Sequence, residues 1–252
     1  MDTESQPAVL ERIGDQEPSE HTLIEGMPGH GLVAAIAVDQ ITKQLQLDHY
    51  GNIYSQSFPP VVTFEKGIVQ DLVRVYFDDS PPIMTLESDL ALPPKAFEPL
   101  STCMLEELAE YVNRAIFLAG APAETEDDLG TVRGIGTTPE MVRELEAVNI
   151  AIAQEHGVVG GITGAMVRAC YRANVPAMLL IVHAHPHIPD PGAAQSVIEN
   201  ALEPLVDFEI DTTDLKNRAA EIQEQMHRIA KQFEQLEAEG QPGEPRAMGM
   251  YQ

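Results

Sequence analysis

His21-Thr-Leu-Ile-Glu-Gly-Met-Pro-Gly-His-Gly31 is the stretch on which the fold turns. His21 to Glu25 reads as a short strand, and Gly26, Gly29 and Gly31 supply a tight turn. Leu32 to Leu47 follows as an apolar run of helical character. Strand, turn and helix in that order form the repeating unit of α/β architecture.

The same grammar recurs downstream. Val61 to Phe64 and Ile68 to Phe77 flank Glu65-Lys66-Gly67, a hairpin turn. Pro82 to Leu86 is a further strand, Pro94 to Asn113 an amphipathic helix, and Ala115 to Ala119 a short buried strand. Glu124 to Gly130 is an acidic loop and Thr131 to Thr137 is extended. Pro139 opens a helix at the position where its missing N–H does no harm. Gly160 to Asn174 is a glycine-led helix, Val175 to His183 a continuous apolar strand, and Asp190-Pro191 opens a helix to about Val206. The expected fold is therefore α/β, a mostly parallel sheet covered by helices on both faces, with a hairpin insertion and a C-terminal coiled-coil helix.

That last element starts after Asp211. Leu215, Ala219, Ile222, Met226, Ile229, Phe233 and Leu236 are spaced 4-3-4-3-4-3, a seam of heptad type with charged and amide residues between. A narrow seam of this kind favours self-association; the alternative is a single amphipathic helix folded back on its own domain. Gly240 ends the helix, and Gln241 to Gly249 holds two prolines and two glycines, which resist regular structure. Residues 1–20 form an irregular arm, 21–211 the α/β domain, 212–239 the coiled-coil helix and 240–252 a flexible tail.

Composition narrows the function. Forty acidic against 15 basic residues give a net charge of −25, which excludes nucleic acid and disfavours anionic membranes as partners. Lys43, Lys66, Lys95, Lys216 and Lys231 are the only lysines. An acidic, lysine-poor surface on a core of ordinary hydrophobicity points to a salt-rich cytoplasm, where screening removes self-repulsion. Simple acidity without salt adaptation is the alternative. Cys103 and Cys170 are isolated, so neither a disulfide framework nor a thiolate metal site is expected. Residues 1–20 lack an apolar signal segment, and no apolar run approaches the roughly 20 residues of a membrane helix.

Chemistry is sparse. Gly26-x-x-Gly29-x-Gly31 and Gly157-Val-Val-Gly160-Gly161-Ile-Thr-Gly164 could cradle a phosphate on backbone N–H groups, but neither fits a nucleotide fingerprint and no Walker lysine follows. Tight turns permitting close helix–sheet packing explain them better. His183, His185 and His187, with Asp190 near, would share one face of a regular strand and could meet a metal. Pro186 and Pro189 break that strand, so no metal is expected. No nucleophile paired with a base is visible. The rival reading from another class is a hydrolase or phosphorylase binding a small anionic ligand at the glycine-rich loops.

Taken together, Gly26-Met-Pro-Gly-His-Gly-Leu-Val33, Gly160-Gly-Ile-Thr-Gly164, the buried strand ending in His183, and Pro189-Asp-Pro-Gly-Ala-Ala194 resemble the proteasome-assembly-chaperone 2 family in its archaeal form, over roughly residues 20–238. The resemblance implies a sandwich similar to the nucleoside-phosphorylase-like fold without its catalytic residues. It also implies homo-oligomers, no cofactor, and partnership with the α-ring subunits of the proteasome core particle. Met250-Tyr251-Gln252 matches the hydrophobic–Tyr–any terminus of proteasomal activators, a mobile key with an aromatic anchor and a carboxylate able to pair with a buried lysine. Not every family member carries this terminus. The expectation is an ATP-independent, cytoplasmic, non-enzymatic proteasome-binding factor, either an assembly chaperone or a gate-opening activator.

Overall fold

The apolar run after Pro176 becomes β11 (Ala177–Ala184), whose first four residues are all buried because helices lie on both of its faces. It sits inside a nine-stranded sheet in a computed structural model that describes residues 7–14, 16–185 and 188–220. The other strands are β1 (Val9–Arg12), β2 (His21–Gly26), β3 (Asp48–Tyr54), β6 (Val73–Asp79), β7 (Pro82–Ser88), β8 (Val112–Pro122), β9 (Val132–Gly136) and β10 (Ala151–Ile152). Between β3 and β6, β4 (Thr63–Glu65) and β5 (Ile68–Gln70) form a separate two-stranded ribbon.

The strand order is β1-β3-β6-β7-β2-β8-β11-β9-β10. The centre, β7-β2-β8-β11, is parallel, and β10 runs parallel to β9. The β1-β3-β6-β7 flank and the β11-β9 pair are antiparallel. The sheet is thus mixed and not mostly parallel. β3, β6 and β7 pair in turn without helical crossovers, and antiparallel neighbours need none.

One face is covered by α1 (Val33–Gln44), α3 (Pro139–Ala147), α5 (Pro191–Val197) and α6 (Glu203–Val206), the last two joined by a π turn over Ile198–Leu202. The other is covered by α2 (Phe97–Glu107) and α4 (Gly161–Ala173). The sequence pattern makes these faces. In α1, Val33, Ala34, Ala37, Val38 and Ile41 fall on one helical stripe and are all buried. In α4, Ile162, Met166 and Cys170 repeat every fourth residue, and Asn174 ends the helix in the left-handed conformation. α3 starts on Thr138, whose hydroxyl accepts from Met141 N–H at 3.3 Å.

Two expectations are corrected. The lead-in contains a strand: Val9–Arg12 pairs antiparallel with β3 and buries Leu10. The run from Ile68 to Phe77 is two strands, broken at Asp71-Leu72, with only the second in the main sheet. The chain is helical again over 213–220.

Candidate functional site

The strand-end edge of the parallel centre is where crossovers leave room for function, and the motifs singled out in sequence meet there. Gly26 lets α1 lie close on β2: a Cβ at that position would come within 2.6 Å of Val38 Cβ. Gly31, at φ +63°, turns the chain into α1 in a conformation that favours glycine. Its carbonyl accepts the N–H of Asp190 at 2.8 Å, joining the first motif to the Pro189–Ala194 motif.

Asp190 is buried, and both its carboxylate oxygens are taken. Oδ1 accepts from Ala193 N–H at 2.9 Å as the cap of α5, and Oδ2 accepts from His185 N–H at 2.8 Å. The aspartate considered as a fourth metal ligand is thus a knot for the loop after β11. His183 Nδ1 lies 2.9 Å from the Thr131 hydroxyl. Among the described residues no three His, Cys, Asp or Glu side chains cluster as a metal site; His187 lies outside them.

A second knot ties the other glycine-rich loop. Glu25, fully buried at the end of β2, accepts from Met27 N–H at 3.1 Å, Leu118 N–H at 3.3 Å and the Thr163 hydroxyl at 3.2 Å. Burial pushes its pKa up to about 8, against the pull of those donors. The glutamate was not singled out in sequence; its one signal is a charged residue in the otherwise buried strand HTLIEG.

Between the two loops lies a cavity of about 300 Å³, walled by Gly29, His30, Gly120, Val159, Gly161 and Thr163 among others. No lysine, arginine, aspartate or glutamate lines it, and its one hydroxyl, on Thr163, donates to Glu25. His30 is the one titratable side chain in its wall, and its Nε2 is buried without a hydrogen-bond partner among the described residues. Glu25 and Asp190 hold the two loops in place through their backbone donors.

The described part of the C-terminal segment runs toward this same edge. Thr212 hydrogen-bonds Glu199 beyond the far end of α5, and Ala219 packs against Gly192 at its start. The 213–220 stretch therefore runs antiparallel to α5, toward the loops. Leu215, the first seam residue, is wholly buried in the domain's own core, and Ala219 borders a cavity of about 250 Å³ with His185 and Ser196. Ile222, Met226, Ile229, Phe233 and Leu236, and the terminal Met250, Tyr251 and Gln252, lie outside the described residues.

Comparison with known proteins agrees with the architecture. The chain belongs to the PAC2 family, which it matches over residues 23–230. It is 28% identical over 212 residues to the uncharacterized protein MJ0106 of Methanocaldococcus jannaschii, covering 83% of this chain and 85% of that protein. The fold is similar to Pyrococcus furiosus PbaA, described as an archaeal homologue of proteasome-assembly chaperone, with TM-score 0.80 and 28% identity over 92% of this chain and 95% of that one. Pyrococcus furiosus PbaB, described as an archaeal proteasome activator, superposes with TM-score 0.80 at 20% identity, over 89% of this chain and 99% of that one.

Proposed function

We propose that this PAC2 protein is an ATP-independent proteasome-binding factor, an assembly chaperone or gate-opening activator, that docks on the α-ring of the core particle through its C-terminal segment. The observation that carries this reading is the likeness to PbaA across 92% of the chain. The strand-end edge supports it from physics. Glycine-rich loops that resemble a ligand cradle are held to the fold by Glu25 and Asp190, while the 213–220 helix runs toward them along α5. The sandwich serves as a phosphorylase-like frame that carries a partner-binding segment and not a catalytic centre.

In this reading Met250, Tyr251 and Gln252 are the contact with the α-subunits, and Tyr251 is the anchor. Self-association through the heptad seam falls to Ile222, Met226, Ile229, Phe233 and Leu236, since Leu215 is occupied by its own core. Several tethered anchors on one oligomer bind together far more tightly than one alone, through effective concentration. The net charge of −25 fits a salt-rich cytoplasm in which such an oligomer is not driven apart.

The test is a pull-down of core particles by the purified chain in 2–3 M KCl. Tyr251→Ala, and separately an alanine appended after Gln252, are expected to abolish capture and any stimulation of peptide hydrolysis, with the oligomer intact. Capture at the parent level by both variants would remove the tail from the mechanism.

A further inference from the structure

The β4–β5 ribbon carries apolar side chains on its outside. Val62, Phe64, Ile68 and Val69 are between 66% and 77% exposed, and Val61 stands beside them at 45%. Phe64 and Val69 are a cross-strand pair, so they share one face of the ribbon, while Ile68, paired with Glu65, stands exposed beside the turn and Val62 just before the strand. The opposite side looks onto a polar cradle. The Thr63 hydroxyl donates to the Gln70 carbonyl at 3.3 Å, Asp89 pairs with Arg74 through two bonds of 2.6 and 2.9 Å, and Arg74 also bonds the Tyr76 hydroxyl at 3.0 Å. Lys66 and Gly67, both at positive φ, close the turn. The apolar face thus points away from the body, with nothing over it among the described residues.

Beyond the ribbon the same sheet face carries exposed apolar residues as well. Leu10, Ile53, Val73, Val75 and Phe77 of β1, β3 and β6 face the α2–α4 side. Their alternates turn to the other side, where Arg74 and Tyr76 of β6 lie beneath the ribbon. There Val9 and Tyr54, opposite each other across β1 and β3, are both more than half exposed.

We infer that the β4–β5 hairpin, together with the exposed Val9–Tyr54 pair on the same sheet face, is a surface through which two copies of the chain associate. Two arguments select a second copy as the occupant. An isolated two-stranded ribbon is marginal in water, and this one turns its apolar face outward, so its cover must be a constant companion and not a transient one. The second is charge. The chain holds 40 acidic residues, yet His49 to Gln70 contains one acid, Glu65, and one base, Lys66. Two bodies of net charge −25 approach each other most readily where that charge is missing. The ribbon also lies apart from the described start of the C-terminal helix: it sits beside Lys43 and Gln46 at the end of α1, whereas residues 213–220 run toward the strand-end loops.

The experiment is light scattering with sedimentation equilibrium on the full chain in 2–3 M KCl. Parent protein is compared with Phe64→Thr/Val69→Thr and with a second pair, Val62→Thr/Ile68→Thr, which keep strand propensity while removing apolar surface. Circular dichroism checks that each variant is folded. The parent is expected above its 27.5 kDa monomer mass, with the self-dissociation constant rising roughly tenfold for each apolar anchor removed. A parent mass of 27.5 kDa, or hairpin variants that keep the parent's constant, would overturn the inference. So would a parent-like constant in both hairpin pairs combined with dissociation by Ile222→Asp/Ile229→Asp, which would assign association to the seam alone. Failure of the tail reading shows in core-particle capture by Tyr251→Ala and leaves these masses unchanged.

Discussion

The strand-end loops and the β4–β5 hairpin invert each other. At the loops, carboxylates that look chemical are consumed inside the fold, and His30 alone keeps a buried ring nitrogen without a partner among the described residues. Glu25 and Asp190 bind backbone N–H groups, and the crevice between the loops has no charged wall. At the hairpin, residues that read as the arms of a turn, Val62-Thr-Phe64 and Ile68-Val69, are left in water beside a paired polar cradle. Chemical identity in sequence does not say whether a group is available. A polar group is available when the backbone has not claimed it, and an apolar group when no layer of the fold covers it.

The largest effect that can break this contrast is at Glu25. Its folded pKa of about 8 lies above the ordinary carboxylate value, chiefly through burial, so the folded state holds a proton that the unfolded chain releases. Its contribution to stability is complete below the unfolded pKa and is lost as pH rises toward 8, at up to about 1.4 kcal/mol per pH unit. Glu25→Gln, neutral at every pH, should remove that slope. Against the parent in concentrated KCl, the variant gains melting temperature steadily from pH 5 to pH 8. Parallel pH profiles would mean the carboxylate is ionised throughout, held by its three donors and the start of α4.

Next is Asp190. Replacing it by alanine leaves the N–H groups of His185 and Ala193 without their acceptors. The expected cost is about 3 kcal/mol, or roughly 6–12 °C in melting temperature for a chain of this size. Asp190→Asn keeps one acceptor oxygen and should recover about half of the loss. A melting temperature within 2 °C or so of the parent for the alanine variant would show that the loop has another anchor.

How much of this was legible follows from where each signal resides. The strand–turn–helix at His21–Leu47, the capped helix at Asp190-Pro191, the Glu65-Lys66-Gly67 turn and the buried β11 were readable because caps, turns and periodicity are local. The antiparallel flank was not, because partner and direction depend on residues far apart: β3 pairs with β6 across an insertion, and β1 is recruited from a lead-in with two prolines. Leu215 fits a heptad seam as well as it fits the core, and only the path of 213–220 along α5 decides. Glu25 was missed because a single acid in an apolar strand has no periodic signature, and its donors come from residues 27, 118 and 163.

The smallest expected effect is at the hairpin, and its smallness is the point. A large-to-small change at a buried phenylalanine costs about 3–5 kcal/mol, through lost burial and the cavity left behind. Phe64 is 77% exposed in the isolated chain, so Phe64→Thr removes little that the monomer uses. At protein concentrations low enough to hold the chain as a monomer, its stability should change by no more than about 0.5 kcal/mol, as for other surface sites. Raising the protein concentration should raise the parent's melting temperature, because association stabilises the folded state by mass action, and should leave the variant behind. Raising KCl at fixed concentration should widen the gap, since screening removes the repulsion between two copies of charge −25 and lets the apolar contact form. A loss of several kcal/mol at every concentration would place Phe64 inside the monomer's own packing, and the two regions would then differ only in which side chains they bury.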